Sequence, residues 1–168
     1  MATSTTSKTR QNSAGAGDAT RWLDAREQKA WRALMLTTHL LDETLDRQLQ
    51  RDAGMPHAYY GLLVRLSEAP ERTMRMGELA SWMHYSQSRL THAVTSMERS
   101  GWVARRSCPT DRRSQLVTLL DAGLDALRVA APGHVAEVRA AVFDKLSSAQ
   151  VEQLREICEV LLVGLSER

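Results

Sequence analysis

Trp102-Val103-Ala104-Arg105-Arg106-Ser107-Cys108-Pro109-Thr110-Asp111-Arg112-Arg113-Ser114-Gln115-Leu116-Val117-Thr118-Leu119 is where the chain changes rhythm. Upstream of it, apolar residues recur every three or four positions. Within it they alternate, so 102–106 and 115–119 read as two strands. Between them, 107–113 is a polar turn: Pro109 and Asp111 suit a β-turn, and two arginines stand at its exit. The stretch is a hairpin with a charged tip. Just before it, Ser86 is placed to cap a helix that buries Leu90, Val94 and Met97 and stops at Gly101. The other face of that helix carries Gln87, Ser88, Arg89, Thr91, His92 and Ser96. A shorter helix over 78–83, with Leu79, Ala80 and Met83 apolar, precedes it across a tight turn at His84-Tyr85. Helix, turn, helix and hairpin in that order are the plan of a winged helix-turn-helix.

Working outward, Pro56 opens a helix over 57–66 with Tyr59, Leu62, Leu63 and Leu66 inward, and Pro70 ends it. Residues 73–76 form a short connector with the character of one extended strand. Further upstream, Trp31, Leu34, Thr38, Leu41, Leu45 and Leu49 make one apolar stripe on a helix starting near Thr20 and stopping at Gly54 and Pro56. A helix of ~30 residues is long for a globular protein, so something outside a small monomer core is expected to cover its stripe. Downstream, Asp121 is expected to cap a helix with Leu124, Leu127 and Val135, interrupted at Pro132-Gly133 by a kink. Ser147 and Gln150 spell a capping box. It starts a last helix with Val151, Leu154, Ile157, Cys158, Leu161, Leu162 and Leu165 at near-heptad spacing, on which Cys158 is expected to be buried. The reading is a mainly α chain with a small β-hairpin wing. A disordered tail occupies 1–19, a winged helix-turn-helix 56–120, and helical segments 20–55 and 121–168.

The chain has 168 residues, enough for one good core. Apolar residues at 43% and charged residues at 25% are ordinary values, which exclude wholesale disorder and fibre. No apolar run approaches the ~20 residues of a membrane span, and no apolar stretch follows Lys8 and Arg10 as a secretory signal requires. Cys108 and Cys158 make no disulfide framework. A reducing bacterial cytoplasm, at the nucleoid, is the expected setting.

Net charge is only +2, yet residues 84–113 hold six arginines against Glu98 and Asp111. A basic stretch on a near-neutral chain reads as a footprint for phosphate. Arg89 can pair bidentately with guanine and Gln87 with adenine, while Ser86, Ser88 and Thr91 can bond phosphate oxygens or bases. Arg112 and Arg113 on a narrow turn can enter a minor groove, and Asp111 can hold an arginine by a charge-assisted bond. Taken singly, the helix face is an ordinary solvated face and the tip an ordinary charged loop. Taken together with the charge asymmetry they favour DNA.

The stretch from Met76 to Gly123 resembles the MarR family of multiple-antibiotic-resistance transcriptional regulators. The resemblance rests on Glu78-Leu79-Ala80, Ser88-Arg89-Leu90-Thr91, Met97-Glu98-Arg99-Ser100-Gly101-Trp102-Val103 and, most specifically, the wing signature Asp111-Arg112-Arg113 running through Leu116-Val117-Thr118-Leu119-Leu120 to Gly123. Leu120 stands where members commonly have threonine. The resemblance implies a homodimer in which 20–55 and 121–168 form the dimerisation region. Such a dimer would grip a pseudo-palindrome in double-stranded DNA, with half-sites roughly 10 bp apart. By similarity Arg113 enters the minor groove, Arg112 holds phosphate and Asp111 positions an arginine, while Gln87, Ser88, Arg89 and His92 face the major groove. It also implies repression relieved by a small, often aromatic, ligand in a cleft between the two regions. Trp22, Trp31, His39, His57, Tyr59 and Tyr60 are the candidate lining.

Other classes fit less well. A non-specific DNA-coating protein would need many phosphate contacts, which a net charge of +2 does not supply. An adaptor would carry an apolar rather than an arginine-rich wing. A redox-responsive regulator could use Cys108, whose arginine neighbours would lower its pKa. The five histidines show no i, i+4 pairing, so no metal site is expected. No cofactor is implied. There is no glycine-rich phosphate loop, carboxylate pair or nucleophile–base arrangement, and the chain reads as no enzyme.

Overall fold

The computed structural model describes residues 20–109 and 111–166, without the side chains of Arg112, Arg113 and Ser166. The tail expected over 1–19, Thr110 and the two wing-tip arginine side chains thus lie outside the described residues. The chain divides into two units, Met1–Leu36 and Thr37–Arg168.

The first unit contributes the start of α1 (Ala25–Ala53). The helix begins five residues later than its apolar period suggests, because Asp24 fixes the boundary. Asp24 Oδ1 accepts the N–H groups of Arg26 and Glu27 at 2.6 and 2.8 Å, and Glu27 Oε2 accepts the Asp24 N–H at 2.8 Å. This reciprocal cap satisfies two of the free donors of the first turn. Trp22 and Trp31 are exposed.

The second unit holds the rest of α1, then α2 (His57–Glu68), β1 (Thr73–Arg75), α3 (Met76–Met83), α4 (Gln87–Arg99), β2 (Val103–Cys108), β3 (Asp111–Leu119), α5 (Asp121–Ala141) and α6 (Ser148–Ser166). The sheet order is β1-β3-β2, antiparallel throughout, with Met74 opposite Val117 and Arg105 opposite Val117 from the other side. β1 is thus a true third strand, and the Thr73 and Thr118 hydroxyls meet at 2.9 Å across its pairing. The core lies under this sheet. Leu62, Leu63 and Leu66 of α2, Leu79 of α3, Leu90, Val94 and Met97 of α4, and Val117 of β3 are fully buried, with Leu49 and Met55 closing one end. Each such side chain contributes roughly 1.5–3 kcal/mol through burial.

Several boundaries differ from the sequence expectation. α3 starts at Met76 rather than Glu78; Glu78 sits at its third position and accepts the Arg75 N–H at 3.3 Å. The wing strands reach nearly to the tip, β2 ending at Cys108 and β3 beginning at Asp111, with a bulge between Ser107 and Cys108 that keeps Cys108 opposite Asp111. Leu120, not Asp121, holds the N-cap position of α5. Asp121 is the first helical residue, and its carboxylate takes Arg72 Nη1 at 2.9 Å. α5 also runs through Pro132 without interruption. A proline removes one hydrogen bond, and here Leu127 and Ala130 are buried just before it while Gly133 packs close to Gln48.

The capping box of α6 is formed: Ser147 N–H donates to Gln150 Oε1 at 2.9 Å, and Gln150 N–H to Ser147 Oγ at 3.3 Å. Beyond it Leu154, Ile157, Leu161 and Leu165 are exposed, and so is Cys158, contrary to expectation. The helix is amphipathic as its spacing indicates, but among the described residues of the second unit nothing covers that face. Among the described residues no helix is long and apolar enough to cross a membrane.

Candidate nucleic-acid interface

α4 is held at both ends by local chemistry. Ser86 Oγ accepts the Arg89 N–H at 3.2 Å, satisfying one free donor at the N-terminus. Before it, His84 adopts a left-handed conformation (φ 51°), which lets the Tyr85 N–H reach the Ala80 carbonyl at 2.9 Å and makes the turn tight. At the far end Gly101 takes φ 71°, the conformation for which glycine is suited. Leu90, Ala93, Val94 and Met97 fix the inward face. Ser86, Gln87, Ser88, Arg89, Thr91 and His92 are consequently all exposed. Thr91 donates its hydroxyl to the Gln87 carbonyl at 2.7 Å, leaving its oxygen free to accept.

Clefts flank this face on both sides. One, of about 380 Å³, is lined by Met76, Gly77, Gln87, Thr91, Ser114 and Gln115, so α3, α4 and the wing strand β3 share a wall. The other, of about 360 Å³, is lined by Tyr59, Thr91, His92, Thr95, Ser96 and Arg99. Tyr59, Thr95, Arg99 and Gln115 were not among the sequence candidates for this surface. Helical spacing could have supplied Thr95 and Arg99, which follow Thr91 and His92 by one and two turns. Tyr59 and Gln115 come from other elements, and only the fold brings them here.

At the wing, Asp111 Oδ2 accepts the Ser114 hydroxyl at 2.6 Å, which ties the first residue of β3 to its own strand. Cys108 is buried at the end of β2. The base of the hairpin is locked by Leu120 N–H donating to the Trp102 carbonyl at 2.9 Å. Gly123 lies directly beneath that carbonyl, where a Cβ would come within 2.3 Å of the oxygen.

A third cleft, about 370 Å³, opens behind the start of α4, lined by residues of α1 (Asp42, Asp46), α2 (His57, Ala58, Gly61), the end of α3 (Trp82, Met83) and the α3–α4 turn (Tyr85), with Arg89. Asp46 Oδ1 accepts the His57 N–H at 2.8 Å, capping α2 from another helix, and His57 Nδ1 lies 3.0 Å from Asp42 Oδ1. The Arg89 guanidinium stacks over the Tyr85 ring at 4.0 Å and has no carboxylate partner among the described residues.

Of the six residues expected to line a ligand cleft, His57 is in this one. Tyr59 lies instead beside α4. Tyr60 is buried against His134, ring centroids 4.2 Å apart, and burial raises its hydroxyl pKa. His39 is exposed on α1, and Trp22 and Trp31 are exposed in the first unit. Trp82 and Tyr85 are the aromatic walls the sequence reading missed. Trp82 falls off the apolar stripe of its helix, which was the available signal.

A short helix and a polar second helix joined by a tight turn, packed on a three-stranded sheet with a basic hairpin, define a winged helix-turn-helix transcription regulator. Residues 53–114 match the MarR family. The Streptomyces coelicolor MarR family regulator Sco3205, solved in complex with DNA, is 53% identical, with 87% of this chain and 92% of that one covered and a TM-score of 0.84. AbsC, a MarR family regulator of the same organism, is 37% identical over 89% of this chain and 100% of its own, TM-score 0.83. The Escherichia coli transcriptional repressor MprA is 24% identical over 135 residues, 79% of this chain and 76% of that protein. The chain belongs to the MarR family of transcriptional regulators.

Proposed function

We propose that the protein is a homodimeric, sequence-specific repressor whose α4 reads the major groove of a pseudo-palindromic operator while its wing arginines enter the minor groove. The observation that carries this reading is the unbroken polar face of α4 from Ser86 to His92, exposed beside the wing strand Asp111–Leu119. Side chains near a recognition helix N-terminus are the ones that meet base edges. Ser86, Gln87, Ser88, Arg89, Thr91 and His92 are the proposed contacts on the helix, with Arg112 and Arg113 at the wing and Asp111 ordering its base. The Sco3205 complex with DNA supports this use of the fold, and the repressor MprA supports the sign of the regulation.

Dimerisation is supported by the uncovered apolar faces. Leu154, Ile157, Leu161 and Leu165 are exposed in a row on α6. Contiguous patches of this kind mark association surfaces. The effector site is the cleft of His57, Trp82, Tyr85 and Arg89. It suits an aromatic ligand by its walls. It bears on DNA binding because Arg89 belongs to both the cleft and the reading face, so a ligand that favours one setting of Arg89 shifts the population able to bind the operator.

The test is selection of bound fragments from the source genome by the purified protein at a fixed salt of ~150 mM, since phosphate contacts make affinity steeply salt-dependent. An inverted repeat with half-sites about one helical turn apart is expected. Fragments sharing no motif would replace this reading with non-specific coating.

A further inference from the structure

Glu98 stands in the last turn of α4 and reaches across to the wing. Its Oε1 accepts the backbone N–H of Arg105 at 3.0 Å, and its Oε2 takes the Arg105 guanidinium at 2.5 Å. Both side chains are about three-quarters buried, at 26% and 25% exposure. β2 is the edge strand of the sheet, so the Arg105 N–H that points outward has no strand to pair with, and the carboxylate satisfies it. One side chain thus binds a single wing residue twice, by its backbone and by its charge.

We propose that Glu98 is a positioning residue for DNA binding: it sets the spacing between the reading helix and the wing so that both grooves are engaged at once. The proposal rests on the wing reading given above. From Arg105 to the tip at Pro109 is four residues, about 13 Å of strand. A tilt of about 10° at the base would therefore displace the tip by about 2 Å, enough to lose a groove contact.

The sign of the effect separates this role from plain electrostatics. Glu98 is an acid in the arginine-rich stretch that would face DNA. If it acted only through its charge, removing it would tighten binding, all the more because Arg105 would be released to the phosphates. The positioning role predicts the opposite.

The experiment is a double-mutant cycle read by operator affinity at fixed salt. Glu98→Gln keeps an oxygen for the Arg105 N–H while losing the ion pair, and thermal melts verify that each variant is folded. Glu98→Asp, which keeps the charge and shortens the reach, serves as the second variant. Each is expected to weaken operator binding about five- to tenfold alone and less than about twofold in an Arg113→Ala background, since residues acting through one another are not additive. Equal or tighter binding by both variants overturns the proposal. So does an equal loss in both backgrounds, which would place Glu98 in the fold at large. If Arg113→Ala is itself silent, the wing reading falls and takes the proposal with it; if Arg113→Ala is costly and the cycle additive, the proposal falls alone.

Discussion

The Arg89 guanidinium carbon lies over the Tyr85 ring, 4.0 Å from its centroid, at the point where the turn enters α4. In the proposed DNA complex this contact would hold a long, flexible cation in one place before DNA arrives, lowering the entropy lost on binding. Arg89→Ala is expected to cost ~1–3 kcal/mol at one base pair and to relax preference there. Affinity measured over a panel of single-base operator variants checks this. A uniform loss over all of them would reassign Arg89 to a phosphate.

At the wing, Arg113→Ala is expected to weaken operators with A·T-rich flanks more than those with G·C-rich flanks, because the narrow minor groove of A·T tracts focuses negative potential. Sedimentation of the variant should match the parent. Equal weakening on both flank types would count against insertion into the minor groove.

The uncovered face of α6 makes its own prediction. Ile157 is 58% exposed in the middle of that face. Ile157→Glu would place a charge in the proposed subunit interface, where an unpaired ion is costly. The variant is expected to sediment as a monomer and to lose operator affinity by more than about tenfold, since one half-site then binds alone. An unchanged dimer would show that α6 packs elsewhere.

Gly123 tests the joint between wing and helix. A Cβ there would lie 2.3 Å from the Trp102 carbonyl oxygen and 2.7 Å from Leu119 Cδ1. The carbonyl is backbone at the wing base, held by the Leu120 N–H, so it cannot yield as a side-chain tip could. Gly123→Ala is expected to destabilise the fold by about 1–3 kcal/mol, as overpacking does, read as a lower midpoint in urea unfolding.

His134 gives a pH dependence with a definite sign. Burial first, and the His57 ring second, hold its pKa below the ordinary histidine value of 6.5. Its ring packs on Tyr60 and lies 5.4 Å from His57, with Nδ1 buried and without a hydrogen-bond partner among the described residues. The unfolded chain therefore binds a proton before the folded one does. Stability is at its full value above about pH 6.5, falls as the pH drops below it, and levels off beneath the depressed folded value. Melting temperatures between pH 5 and 8 should show this decline, and His134→Phe should flatten it.

What could be read from the sequence follows the range of the forces involved. Ser86 as a cap, Gly101 as a stop and the Ser147–Gln150 box are reported by neighbours three or four residues away, and each was legible. So was the exposed face of α4, because helical period alone assigns it. The pairing of β1 with β3 joins residues more than forty positions apart, and a three-residue strand carries too little pattern to announce a partner. The approach of His57 to His134 is equally non-local, a contact between α2 and α5 that no spacing rule contains. Asp46 capping α2 from α1 belongs to the same class. Cys158 was misjudged for a different reason. Heptad spacing states that a face is apolar, and burial also needs something to lie on it.

Arg89 is a wall of the cleft and a member of the reading face at once. Under the proposed function, the specificity for the small molecule and the specificity for the operator would therefore not be free to diverge separately. A substitution of Arg89 that retuned the cleft for a new small molecule would also disturb the preferred operator, and an operator that no longer needed Arg89 would leave that wall of the cleft free to change. Evolution along either line would require paired changes, one in the chain and one in the promoter it controls.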